Sequence, residues 1–237
     1  MCKLESSGIV RRVADSGIER LAVGDRVVTM GPGHFLTHDR LPEWACQKLQ
    51  DDEELHVMTT LPLVFSTALY ALHHRAHIQE GESVLIHSAA GGLGNAAIQI
   101  AQLANAEIYA TVSTEEKKDY LVKTFNLKRE HIFHSRDSSF QQAILAATGG
   151  RGVDIVLNSL TGDLLHDSWR VCAPWGRFIE VGKQDIVDAG KLDMEMFRRN
   201  VTFSAFDLSE LSDENQPKLN RIAARFVFPS KSLFYSF

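Results

Sequence analysis

One segment constrains this chain more than any other: His87-Ser88-Ala89-Ala90-Gly91-Gly92-Leu93-Gly94-Asn95-Ala96-Ala97-Ile98-Gln99. An apolar run at 83–86 precedes it and an amphipathic stretch at 96–104 follows. The order is strand, glycine turn, helix start. At such a junction the first helical N–H groups lack partners, and together with the helix dipole they attract an anion. Gly91, Gly92 and Gly94 allow a sharp turn and a close approach of a phosphate to the backbone. The order is A-A-G-G-x-G rather than G-x-G-x-x-G, so the string alone also fits a tight turn that holds no ligand.

From residue 81 to about 206 the pattern repeats as short apolar run, polar turn and amphipathic helix. The runs lie at 84–86, 108–112, 132–133, 153–157, 177–181 and 201–206. Helical segments lie between them at 96–104, 115–125, 139–147 and 164–172, with a weak one near 194–198. Strands and helices alternating at this length predict right-handed βαβ units and a parallel sheet. Six strands, with the phosphate turn after the first, predict an α/β Rossmann sheet in the order 3-2-1-4-5-6. Before residue 81 the texture is β-rich, with strands at 8–13 and 26–30, and a helix at 61–75 enters the nucleotide domain. After Asp207 a polar stretch leads to a basic amphipathic helix at 218–226.

The 237 residues, 44% of them hydrophobic, can bury a substantial core. The net charge of −5 is mild and no Lys/Arg cluster marks a nucleic-acid face. No run of eighteen apolar residues predicts a membrane span, and the start carries no signal-peptide core. Cys2, Cys46 and Cys172 form neither a disulfide framework nor a zinc-ligand spacing, which predicts a reduced, cytoplasmic setting. His34 and His38, and His73, His74 and His77, read as surface or loop histidines rather than ligands.

The end of the second strand of such a sheet selects between dinucleotides: an acidic residue accepts the ribose 2′-OH, whereas small and basic groups admit a 2′-phosphate. Here 108–112 runs into Ser113-Thr114-Glu115-Glu116-Lys117-Lys118. Hydroxyls come first and Lys117 lies one turn on, which favours NADP(H). A second reading is compatible: Ser113 or Thr114 caps the helix, with Glu116 completing a capping box.

Gly24-Asp25-Arg26-Val27, Thr59-Thr60-Leu61-Pro62, the glycine turn with Ala96-Ala97-Ile98-Gln99, and Gly150-Arg151-Gly152-Val153-Asp154 form one ordered series. That series resembles the quinone-reductase branch of the medium-chain dehydrogenase/reductases. Val112 to Lys117, His131-Ile132-Phe133 with Ser135-Arg136-Asp137, Val156-Leu157-Asn158-Ser159-Leu160 and Glu180-Val181-Gly182-Lys183 narrow the resemblance. They are similar to the enoyl reductase domain of polyketide and animal-type fatty-acid synthases.

The resemblance implies a Rossmann domain beside an incomplete β-rich, GroES-like substrate domain. It implies NADPH-dependent reduction of an α,β-unsaturated thioester on an acyl carrier protein, within a multifunctional synthase and without zinc. Homodimerisation is left open. By the same resemblance Ala90, Gly91, Gly92, Leu93 and Gly94 hold the pyrophosphate, and Ser113 and Lys117 meet the 2′-phosphate, with Ser135 and Arg136 beside the adenosine. Thr67, Asn158 and the Val181-Gly182 backbone lie near the nicotinamide. Lys183 matches the family's proposed proton donor. From the residues alone, Lys183 equally reads as a loop lysine, Arg136 as a solvated charge and Asn158 as a turn cap.

Three departures from the family pattern stand out. Ser113 replaces a glycine. The second donor position falls on Ser209, two residues past Asp207, so Asp207 is the acidic candidate. The flanks of the substrate domain read as missing. The expected organisation is a partial substrate domain at 1–58, the nucleotide domain at 59–209 and a truncated segment at 210–237. Two alternatives remain beside the enoyl reductase: a quinone oxidoreductase-like enzyme, and a nucleotide-binding piece without turnover.

Overall fold

The computed structural model describes residues 3–208. The chain divides into two compact units, one of residues 3–67 with Leu208, the other Ala68–Asp207.

The first unit is a three-stranded antiparallel sheet, β1 (Lys3–Ile9), β2 (Arg26–Gly33) and β3 (Cys46–Lys48), in that order. The first strand starts earlier than the apolar residues at 8–13 predict, because Lys3 and Glu5 to Ile9 find partners along β2, with an irregularity at Leu4. A short helix, α1 (Leu55–Met58), lies against it, and the core is small: Val28 and Leu49, with Leu55 and Met58 packed on them. The Arg26 guanidinium stitches the sheet to the following loop, donating to the carbonyls of Gln50, Asp51 and Glu53. Helix α2 (Pro62–Leu69) then carries the chain into the second unit and widens into a π-helical turn, Tyr70–Arg75, within the helical stretch expected at 61–75.

The second unit alternates β4 (Ser83–Ile86), α3 (Gly92–Leu103), β5 (Glu107–Val112), α4 (Glu115–Phe125), β6 (Ile132–His134), α5 (Ser139–Ala147), β7 (Val153–Asn158), α6 (Asp163–Arg170), β8 (Cys172–Glu180), α7 (Gln184–Val187) and β9 (Thr202–Ala205). All pairings are parallel and the strand order is β6-β5-β4-β7-β8-β9, the doubly wound Rossmann order. Every residue of β4 is buried, as a central strand covered on both faces requires. Phe140 and Ile144 of α5 and Leu165 and Trp169 of α6 pack with Leu85, Tyr109, Val156 and Phe178 in one cluster.

Elements of the second unit also depart from the sequence pattern. The helix expected at 164–172 overruns: α6 stops at Arg170 and Cys172 opens β8 in register with Val153. Gly152 permits this: its φ is +87°, and a Cβ there would lie 2.2 Å from the Val171 carbonyl oxygen. The weak helix expected near 194–198 is a 3₁₀ segment, Met194–Arg199. The helix expected at 218–226 and Ser209 lie outside the described residues. Among the described residues no helix is long and apolar enough to cross a membrane.

Candidate active site

The glycine turn is fixed from both sides. The His87 N–H donates to the Leu157 carbonyl (3.2 Å) and the Ala89 N–H to the Thr111 carbonyl (3.0 Å), tying the turn to both neighbouring strands. Ser88 has φ +52°, a left-handed conformation that costs a residue with a Cβ and concentrates at functional turns. The first helical bond of α3 runs from Asn95 N–H to the Gly91 carbonyl (2.9 Å), and Gly91 has no side chain with which to cap. The N–H groups of Gly92, Leu93 and Gly94 therefore precede the helical ladder. Gly91 and Gly92 are exposed, Ala90 and Leu93 half-buried. A Cβ on Gly94 would lie 2.4 Å from the Ala89 carbonyl oxygen, so only glycine lets the helix start so close to the turn.

Beneath the turn His87 is fully buried. Its Nδ1 meets the Thr111 hydroxyl and its Nε2 the Ser168 hydroxyl, each at 2.9 Å. Ser168 donates its own proton to the Leu164 carbonyl (2.6 Å), so Nε2 carries the imidazole hydrogen. Burial holds the ring neutral, with its pKa pushed down to about 3. Sequence reading missed this network, although Thr111 is a polar residue inside an apolar strand.

At the C-terminal ends of β5 and β6, Ser113 and Lys117 come together: the Lys117 ammonium donates to the Ser113 hydroxyl (3.3 Å). Thr114, rather than Ser113, caps α4 and accepts the Lys117 N–H (3.3 Å). Glu116 is then the second helical residue, so the capping box expected with it does not form. Its carboxylate is instead held below the usual range by its own N–H and the Thr114 hydroxyl. The Ser135 N–H donates to the Val112 carbonyl (2.9 Å), which sets Ser135 and the exposed Arg136 beside the end of β5. Arg129 differs: it is paired to Glu115 and Asp119.

The ends of β7, β8 and β9 form the third part. Asn158 is buried and its amide is committed, donating to the Leu160 carbonyl (2.8 Å) and to Glu180 Oε2 (2.5 Å) while accepting the Leu160 N–H (3.3 Å). Glu180 Oε1 accepts the Gly182 N–H (2.5 Å), and the Val181 N–H donates to the Asn158 carbonyl (3.1 Å). Burial raises the Glu180 carboxyl to about 7 against the lowering effect of these donors. Sequence reading quoted Glu180 only within a family block and gave it no role, yet a charged residue inside Phe178-Ile179-Glu180-Val181 is a legible signal. Next along the chain, the Lys183 ammonium forms an ion pair with the Asp207 carboxylate. The two proton-donor candidates are thus neighbours. Thr67 belongs to the first unit and donates its hydroxyl to the Leu63 carbonyl (2.7 Å).

A family profile described as zinc-binding dehydrogenase matches residues 92–224. The chain belongs to this family. Within it the chain falls in the branch of polyketide synthase enoyl reductase domains. It is 54% identical over 221 residues (93% of this chain) to the highly reducing polyketide synthase anuA of Penicillium roqueforti, and spans 10% of that protein. The CurK enoyl reductase crystal structure matches with a TM-score of 0.82 and 35% identity, over 94% of this chain and 65% of that one. The nucleotide-binding subdomain of the PpsC enoylreductase domain from Mycobacterium tuberculosis matches with a TM-score of 0.66 and 33% identity, over 70% of this chain and 90% of that one. The chain thus spans about a tenth of the length of the curated synthases it resembles.

The family's description names zinc, and the described residues offer no site for it. Among the described residues no group of three or more His, Cys, Asp or Glu could hold a metal ion. Cys172 is buried in the core, which pushes its thiol pKa far up. A dinucleotide phosphate does fit, because the start of α3 offers three N–H groups with no helical acceptor beside an exposed glycine pair.

Proposed function

We propose that this chain is the NADPH-dependent enoyl reductase module of a polyketide synthase, reducing the α,β double bond of an acyl thioester carried on an acyl carrier protein. The observation that carries the reading is the Lys183–Asp207 ion pair at the C-terminal edge of the sheet whose first turn presents free N–H groups. Open α/β sheets bind ligands at that edge.

In this reading Gly92, Leu93 and Gly94 bind the pyrophosphate through their N–H groups, with Ala90 and Gly91 shaping the turn. Lys117, held by Ser113, neutralises the 2′-phosphate, and Ser135 and Arg136 flank the adenosine. The Val181-Gly182 backbone borders the nicotinamide, and Thr67 is assigned to it by family resemblance alone. Asn158 contributes by holding its loop, since its amide is already used. NADPH, when bound, supplies the hydride that reaches the substrate β-carbon. Lys183 holds a proton at Nζ for the α-carbon, and Asp207 keeps that nitrogen in place. The chemistry rests on positioning and charge stabilisation rather than on a covalent nucleophile.

The test is a titration of the purified protein with NADPH and with NADH, followed by nicotinamide fluorescence, and then addition of a crotonyl thioester. Preferential NADPH binding, with oxidation only after the thioester is added, is the expected result. Oxidation by a quinone but not by the thioester would move the chain to the quinone-reductase reading. Binding with no oxidation by either would leave only a nucleotide-binding role.

A further inference from the structure

We propose that Glu180 is a positioning residue that sets the Lys183–Asp207 pair by clamping the ends of three strands. Asn158, Glu180 and Ala205 lie side by side in one register row across β7, β8 and β9. From the middle of that row Glu180 reaches both ways. Its Oε2 takes the Asn158 amide and its Oε1 takes the Gly182 N–H, each at 2.5 Å. Its carbonyl takes the Phe206 N–H (3.4 Å). Lys183 follows Gly182 and Asp207 follows Phe206, so each member of the pair is one residue beyond an atom that Glu180 holds. Only 2% of Glu180 is exposed, which leaves the carboxylate no solvent to fall back on.

The clamp needs a carboxylate, because both groups aimed at it are donors. A glutamine of the same shape would turn its NH₂ toward one of them. The Asn158 amide cannot flip to compensate, since its two ends are already matched to the Leu160 carbonyl and N–H. Gly182 is the matching half: a Cβ there would lie 2.7 Å from Glu180 Oε1 and push the carboxylate off its N–H.

This inference rests on the proposed proton-donating role of Lys183, and its test separates the two. Glu180→Gln, Lys183→Met and the double variant are assayed for kcat with a crotonyl thioester. Glu180→Gln alone is expected to lower kcat roughly 10- to 100-fold, the scale of misplacing a reacting group. In the Lys183→Met background it should add little. An equal loss in both backgrounds, or no loss at all, refutes the clamp. Independently of turnover, acetylation of Lys183, mapped by mass spectrometry against Lys117, should run roughly threefold faster in Glu180→Gln, the scale of one exposed ion pair. Gly182→Ala should do the same, and covers the case in which Glu180→Gln does not fold. Unchanged Lys183 labelling in the folded variants overturns the proposal. Faster labelling in a protein whose wild type has no reductase activity upholds the clamp and removes the enoyl reductase reading instead.

Discussion

The buried His87 should make the nucleotide unit acid-sensitive by an amount that can be worked out. In the folded chain the ring is sealed beneath the glycine turn, with Thr111 and Ser168 on its nitrogens and the Phe140 ring edge-on at 5.2 Å. Ser168 spends its own proton on Leu164, so the neutral tautomer satisfies every partner, and a second ring proton would place an uncompensated charge in the core. The folded pKa is about 3 against an ordinary 6.5. Below pH 6.5 the unfolded chain therefore binds a proton that the folded chain refuses, and stability falls as pH falls. At pH 5 the unfolded ring is about 1.5 pH units below its midpoint, and at about 1.36 kcal/mol per unit roughly 2 kcal/mol is lost relative to neutral pH. The loss grows until the pH nears 3 and then levels off. His87→Gln keeps an amide donor for Ser168 and removes the titration. Its stability at neutral pH should be lower, and the gap to wild type should close by about 2 kcal/mol between pH 7 and pH 5. Urea unfolding followed by Trp169 emission measures this, since Trp169 is buried in the same core while Trp175 is exposed. The midpoint difference should shrink by about 0.7–1 M for an m-value of about 2–3 kcal/mol/M. Parallel pH profiles for wild type and variant would refute the argument, because every other titrating group is common to both.

Three further outcomes are expected. Gly94→Ala places a methyl within 2.5 Å of Ala89 backbone atoms, so α3 must lift from the turn; overpacking of this kind costs about 1–3 kcal/mol, and NADPH binding by fluorescence should weaken with it. Lys117→Ala should weaken NADPH about tenfold or more and leave NADH unchanged, as loss of one charge-assisted contact to the 2′-phosphate demands; equal losses for both nucleotides would remove Lys117 from that role. Arg177→Met strips the two-pronged pair with Glu82 (2.8 and 2.5 Å) and the bond to the Ala76 carbonyl, all well shielded; about 2–3 kcal/mol of stability should go, lowering Tm by about 5–10 °C.

The Rossmann half was readable because its signals are local. A parallel strand covered on both faces is largely apolar, and 108–112 and 153–157, interrupted only by Thr111 and Asp154, say so directly. Helices α4 and α5 begin and end where their polar caps and apolar stripes place them. The misses have causes the local pattern does not show. Gly92, Gly94 and Asn95 carry low helical propensity, yet α3 starts there because Gly94 seats on Ala89. Cys172 looks like the end of a helix until Val153 pairs with it. Three-residue β3 is too short to show any period. At the site, the glycine turn and the Ser113/Lys117 pairing follow from spacing. Glu180 and His87 gain their environments only when elements about 20 to 80 residues apart close around them.

The strand order has a consequence for how the second unit is made. A ribosome releases β4 first, and every later strand joins an edge that already exists: β5 and then β6 on one side, β7, β8 and β9 on the other. No strand has to be threaded between two that have already paired. The sheet can therefore grow outward at the pace of synthesis, its oldest strand ending at the centre. Until β7 arrives, one flank of β4 stays unpaired, and that interval is when the nascent chain is most open to sticking to its neighbours.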